Sequence, residues 1–122
     1  THCVQKTKGS KIHSDLHPVN NDFIIKKGKD KNFDSYSGFI DDGGAYTGLY
    51  ALLTDNGIEE IDVVGVATEY CVKFTVLDGL NLGLKVNLLI RGCAAINNID
   101  EIRAVQEMQK AGATIIYKGN RK

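Results

Sequence analysis

The sequence predicts an α/β fold, a three-layer αβα arrangement with a mainly parallel sheet. Three observations predict it. Strand-like and helix-like patterns alternate along the chain, and such an order implies crossover connections between parallel strands. The stretch IDVVGVA at 61–67 is almost wholly apolar with little alternation, as expected of a strand covered on both faces. Glycines fall at 57, 83 and 112, each just past a helical stripe, where a helix stops.

Taken in order, the first twenty residues read as a polar loop containing His13, His17 and the single proline, Pro18. DFIIKK at 22–27 reads as a short strand. GKDKNFDSYSGF at 28–39 is rich in turn formers and predicts an exposed loop. DDGG at 41–44 is a turn signal. From Ala45 the spacing of Leu49, Leu52 and Leu53 predicts a helix ending at Gly57. The strand at 61–67 follows. After Cys71, a stripe of Val72, Val76, Leu77 and Leu80 predicts a helix ending near Gly83. LKVNLLI at 84–90 is the next strand. GCAAINN connects it to a helix from about Ile99, with Asn98 and Glu101 spaced as a capping box. Ile99, Ile102, Val105 and Met108 continue that helix. ATIIYK is a last short strand.

The 122 residues suffice for one domain with one modest core, and no repeat or linker divides them. Lys plus Arg equals Asp plus Glu, 15 of each. That balance gives no electrostatic reason for nucleic acid or an anionic membrane as partner. No apolar run is long enough to span a bilayer. The chain opens on THCVQ without an initiator methionine and without a visible signal peptide, so an upstream segment is expected to have been removed. The cysteines are Cys3, Cys71 and Cys93. Their odd number and wide spacing fit neither a disulfide framework nor a zinc cluster, and point to a reducing, cytoplasmic location.

Ligands of open α/β sheets bind beyond the carboxyl ends of the strands. Cys71 lies just past such an end, at the start of a helix. There the helix dipole favours a thiolate, and backbone N–H groups can bind an oxyanion. By position alone, Cys71 is either a nucleophile or a small apolar residue packed in a first turn. Lys27 ends its strand at the same edge. It either stabilises a thiolate or is one of the solvated lysines with Lys26, Lys29 and Lys31. His2 is a metal-ligand type, yet it shows no regular spacing with His13 and His17, and alone it reads as a surface histidine. Cys93 reads as packing. No convincing carboxylate pair is visible.

HCVQ, the strand-ending KKG, DSYSGF and GVATEYCVKFT resemble, in order, segments of the nicotinamidases (pyrazinamidases) of the isochorismatase-like cysteine hydrolase superfamily. The last segment is the most specific. The resemblance runs over essentially the whole chain but covers only the C-terminal portion of the family's domain. It implies that Cys71 is the nucleophile, that Lys27 is the catalytic lysine and that the backbone N–H groups of Ala67 and Cys71 form the oxyanion hole. It implies a cis peptide between Val66 and Ala67, and a metal ligand in His2. The metal would be a divalent ion (zinc, iron or manganese) that positions the ring of a small carboxamide substrate. The implied reaction is hydrolysis of nicotinamide to nicotinic acid and ammonia through a cysteine thioester.

In the family, the catalytic aspartate and the other metal ligands lie upstream of the region matched here. The isolated chain is therefore expected to be inactive. A missing N-terminal segment or a second copy is the expected macromolecular partner. Lys6 stands where the family usually has glycine, and Glu69 where it usually has aspartate. The alternatives are another cysteine amidohydrolase of the superfamily, acting without metal on a carbamoyl or ureido group, or a non-catalytic association module. Isochorismatases proper generally lack the cysteine, so Cys71 argues against them. No substrate-binding residue can be assigned; Tyr36 and Ser37 lie in the loop near the pocket without a role.

Overall fold

A computed structural model describes Ile25, residues 36–41 and residues 43–117. The strand expected at 22–27, Ile25 apart, lies outside the described residues. The described elements run α1 (Leu49–Asp55), β1 (Glu60–Val66), a π turn (Thr68–Val72) that leads directly into α2 (Lys73–Asn81), β2 (Lys85–Ala94), α3 (Asn98–Ala111) and β3 (Thr114–Ile116). The three strands form one sheet in the order β1-β2-β3, with both pairs parallel. The mixed α/β architecture with a parallel sheet is the one expected. Among the described residues, no helix is long and apolar enough to cross a membrane.

One face of the sheet meets α2. A methyl group added at Gly79 of α2 would lie 3.2 Å from Val86 and 3.6 Å from Ile61, so helix and sheet are in close contact there. Val63, Val76, Val86, Leu88 and Met108 form the buried centre of this layer. The opposite face of β1 differs from expectation. Val64 is 57% exposed and Val66 68%, so β1 alternates where the sequence suggested cover on both sides. The apolar run alone could not reveal this, because it contains apolar residues in both phases of the pleat.

Phe39 is a second departure. The loop at 28–39 reads as exposed, yet Phe39 is fully buried. Burying a phenylalanine side chain stabilises by roughly 1.5–3 kcal/mol. The chain around it closes tightly: Asp41 N–H donates to the Ala45 carbonyl at 2.9 Å, and Ile40 bridges Tyr46 in antiparallel fashion. The turn signal at 41–44 is matched by Gly44 N–H donating to the Asp41 carbonyl at 3.0 Å.

Helix α1 begins at Leu49 rather than Ala45, because this short hairpin occupies the preceding residues. The cap of α3 is Asn97, not Asn98. Its side chain accepts from Ile99 and Asp100 N–H at 2.9 and 3.1 Å. The inward side of α3 carries Ala104 and Met108, while Ile99 and Ile102 are exposed. Strand β2 runs on past Ile90 through RGCA to Ala94. It does so across an irregularity: between Val63↔Leu88 and Gly65↔Cys93, two steps along β1 face five along β2. The extra residues of β2 bend the ladder just before it reaches the end of β1.

Candidate active site

The end of β1 is fixed by Val66, which pairs with Ala94. The next peptide, Val66–Ala67, is cis, as the resemblance implies. Ala67 then caps the helix. Its carbonyl accepts from Tyr70 N–H at 3.0 Å and from Val72 N–H at 3.1 Å. The second of these bonds spans five residues and makes the turn wider than α-helical, a geometry concentrated at functional sites. Cys71 is the fourth residue of this turn and is half-buried. The sequence places Cys71 at the start of a helix, and the structure places it inside the first turn of a continuous helix from Thr68 to Asn81. The positive end of the helix dipole is therefore close to its sulfur.

Glu69 anchors the turn. Its carboxylate is buried, 5% exposed. One oxygen accepts from Asn97 N–H at 2.8 Å, and Ile96 N–H lies 3.0 and 3.1 Å from the two oxygens. Burial pushes this carboxyl up. The N–H donors of Asn97, Glu69 itself and Ile96 more than offset that, and hold it below its ordinary value. Thr68, the neighbour of Glu69, is fully buried, and its hydroxyl has no hydrogen-bond partner among the described residues.

The outer side of the turn is aromatic. The Tyr36 ring lies 6.1 Å from that of Tyr70 and stacks at 5.7 Å on Phe74. Lys73 Nζ sits 4.9 Å from the centre of the Phe74 ring and 3.9 Å from Glu107 of α3. Tyr36, Tyr70 and Phe74 all remain partly exposed. Thr75 ties the Tyr36 loop to this helix, accepting from Gly38 N–H at 2.8 Å and donating to the Cys71 carbonyl at 2.6 Å.

Two predicted site residues, Ala67 and Cys71, thus share one turn. Lys27 and His2 lie outside the described residues. No disulfide joins Cys71 and Cys93. Cys93 is half-buried on β2 opposite Gly65, with its thiol 3.5 Å from the Leu89 carbonyl. Burial pushes that thiol up; a backbone contact from Gly65 opposes the shift and the charge of Glu101 adds to it. No group of three or more His, Cys, Asp or Glu side chains able to hold a metal ion occurs among the described residues. A depression on α3 lined by Gln106, Gln109 and Lys110 includes none of the predicted site residues.

Sequence reasoning missed Glu69, Thr75 and Phe74. Glu69 could be seen only as a departure from a family pattern, because its partners are 27 and 28 residues away.

Comparison with known proteins gives one decisive match: residues 1–118 fit the model of the isochorismatase domain. The chain belongs to the isochorismatase family. Within this family it is 45% identical over 117 residues to the nicotinamidase of Escherichia coli, covering 93% of this chain and 55% of that protein. The structure resembles that of PnC1 from L. infantum in complex with nicotinate, with TM-score 0.90 and 36% identity, over 94% of this chain and 58% of that one. It also resembles the pyrazinamidase of Pyrococcus horikoshii in complex with zinc, with TM-score 0.84 and 38% identity, over 95% of this chain and 61% of the other. This isochorismatase-family chain spans about half the length of the curated relatives it matches.

Proposed function

We propose that the complete gene product is a nicotinamidase, a cysteine amidohydrolase that converts nicotinamide to nicotinic acid and ammonia. The observation that carries the proposal is the position of Cys71. It stands in a wide helical turn, four residues after Ala67 and just past the carboxyl end of a parallel strand. The identity to the Escherichia coli nicotinamidase and the likeness to a nicotinate-bound structure supply the substrate class.

In this reading the Cys71 thiolate attacks the carboxamide carbon. The carbonyl oxygen gains the negative charge and is met by the N–H groups of Ala67 and Cys71. Loss of one such donor typically costs about 3 kcal/mol of barrier. The C–N bond then breaks. Ammonia leaves with the proton taken earlier from the thiol, and a thioester remains on Cys71. Water cleaves the thioester, releasing the acid and restoring the thiol. Lys27 favours the thiolate by its charge. The resemblance assigns the proton transfers to an aspartate upstream of the region matched here.

The described residues alone do not make a metal site, so no step is derived through a metal. The zinc complex of the Pyrococcus horikoshii relative is the reason to propose a divalent ion, with His2 as one ligand. Cytoplasmic location belongs to the same proposal.

The test is ammonia release from nicotinamide by the complete gene product and its Cys71→Ala variant. The variant should fold normally and release none; near-normal release refutes the nucleophile assignment. Elemental analysis of the purified product and of His2→Ala tests the metal. A wild-type product free of metal, or a variant with undiminished content, removes His2 from the site.

A further inference from the structure

Glu69 has no role in the reaction just described, yet it is the buried charge nearest in sequence to Cys71. It lies midway between Ala67 and Cys71, the two residues whose N–H groups are proposed to hold the oxyanion. Of the side chains in between, Thr68 finds no hydrogen-bond partner among the described residues, and Tyr70 faces the partly exposed aromatic group. The Glu69 carboxylate reaches the loop between β2 and α3. Its carboxylate takes N–H groups from two successive residues, Ile96 and Asn97. Asn97 in turn caps α3 through its own side chain. A charge-assisted pair of this kind is shorter and stronger than a neutral one, and it fixes direction as well as distance.

The turn is therefore held at two places. Backbone pairing of Val66 with Ala94 fixes its entrance, and the Glu69 carboxylate fixes its middle to residues just two and three beyond Ala94. A π turn is wider than the α-helix it leads into and is rare in isolation. An external clamp on its second residue gives it a reason to persist.

We propose that Glu69 is a positioning residue for Cys71. Its carboxylate clamps the turn to the loop that starts α3, and so keeps the sulfur in register with the Ala67 and Cys71 N–H groups. The proposal rests on the reading of Cys71 as nucleophile. A misplacement of about 1 Å at a reacting group can cost on the order of a hundredfold in rate, so a clamp two residues from the chemistry has a measurable consequence. The shorter carboxylate usual at this place in the family keeps both charge and acceptors, which makes Glu69→Asp the conservative variant.

The experiment compares wild type, Glu69→Gln and Glu69→Asp in the complete gene product, with rates normalised to folded protein. Glu69→Gln should lower kcat for nicotinamide about tenfold or more with KM within about twofold, and Glu69→Asp should recover most of that loss. Amide exchange at Ile96 and Asn97 should speed about tenfold in Glu69→Gln, which reads the clamp without reference to turnover. Alkylation of Cys71, followed by peptide mass mapping, should change several-fold while that of Cys93 does not. A kcat within twofold of wild type, or one that falls only in proportion to the folded fraction, overturns the proposal. Should wild type release no ammonia, the nicotinamidase reading fails. The alkylation comparison then decides the clamp alone, and an unchanged Cys71 rate overturns it.

Discussion

The Thr75 hydroxyl donates to the Cys71 carbonyl at 2.6 Å, and the same oxygen accepts the Gly38 N–H at 2.8 Å. One side chain thus couples the helix of the candidate nucleophile to a loop 37 residues earlier. Thr75→Val keeps the shape and removes both bonds, leaving a partly buried Gly38 N–H without its acceptor. The expected cost is about 1–3 kcal/mol, read from the urea midpoint. Thr75→Ser should retain near-normal stability, since it keeps the hydroxyl. A Val variant as stable as wild type means that the loop is held by its other contacts, such as the burial of Phe39 and the stacking of Tyr36 on Phe74.

Gly65 offers a second test. Its φ is +140°, a conformation rarely adopted by residues with a side chain, and it lies opposite Cys93 where the β1–β2 register shifts. Space is not the obstacle, because an added methyl would meet only Val72, at 3.8 Å. Gly65→Ala should cost about 1–3 kcal/mol from backbone conformation. It should also lower turnover, because Gly65 is two residues from Ala67. Unchanged stability in chemical denaturation would show that the strand relaxes to another conformation at no cost.

Lys27→Ala tests the proposed support of the thiolate. Without the ammonium, a Cys71 thiolate loses a favourable charge. Alkylation of Cys71 should therefore slow, and turnover should fall strongly. Unchanged alkylation and turnover make Lys27 a solvated lysine.

The legible and illegible parts of this molecule divide along physical lines. Alternating strand and helix patterns are local, and they placed β1, α2, β2, α3 and β3 in order. The position of Cys71 past a strand end is also local. Phe39 was not legible, because its neighbours are turn formers and its burial depends on residues such as Gly79 of α2. The π turn was not legible either: the stripe of Val72, Val76 and Leu80 fits α2 and is silent about the wider turn before it. The cis peptide at Ala67 has no signature in composition or periodicity; it came from the resemblance alone. Contacts that join distant segments, such as Glu69 with Ile96 and Asn97, are set by tertiary structure and leave no trace in a pattern of one sequence.

The Glu69 carboxylate also gives stability a pH dependence whose sign is fixed. In the folded chain its carboxyl lies below the ordinary value of 4.5, because N–H donors outweigh the effect of burial. The unfolded chain therefore takes up this proton at a higher pH than the folded one. The contribution to stability is present above 4.5 and is lost as pH falls through the lowered folded value. Glu69→Gln has no such proton to gain. Near neutral pH the wild type should be the more stable of the two in urea. As pH falls below 4.5 the gap should narrow, since only the wild type loses this term. A gap that stays constant through the acid range would mean that the Glu69 carboxyl titrates alike in both states, and that its bonds to Ile96 and Asn97 do not favour the charged form.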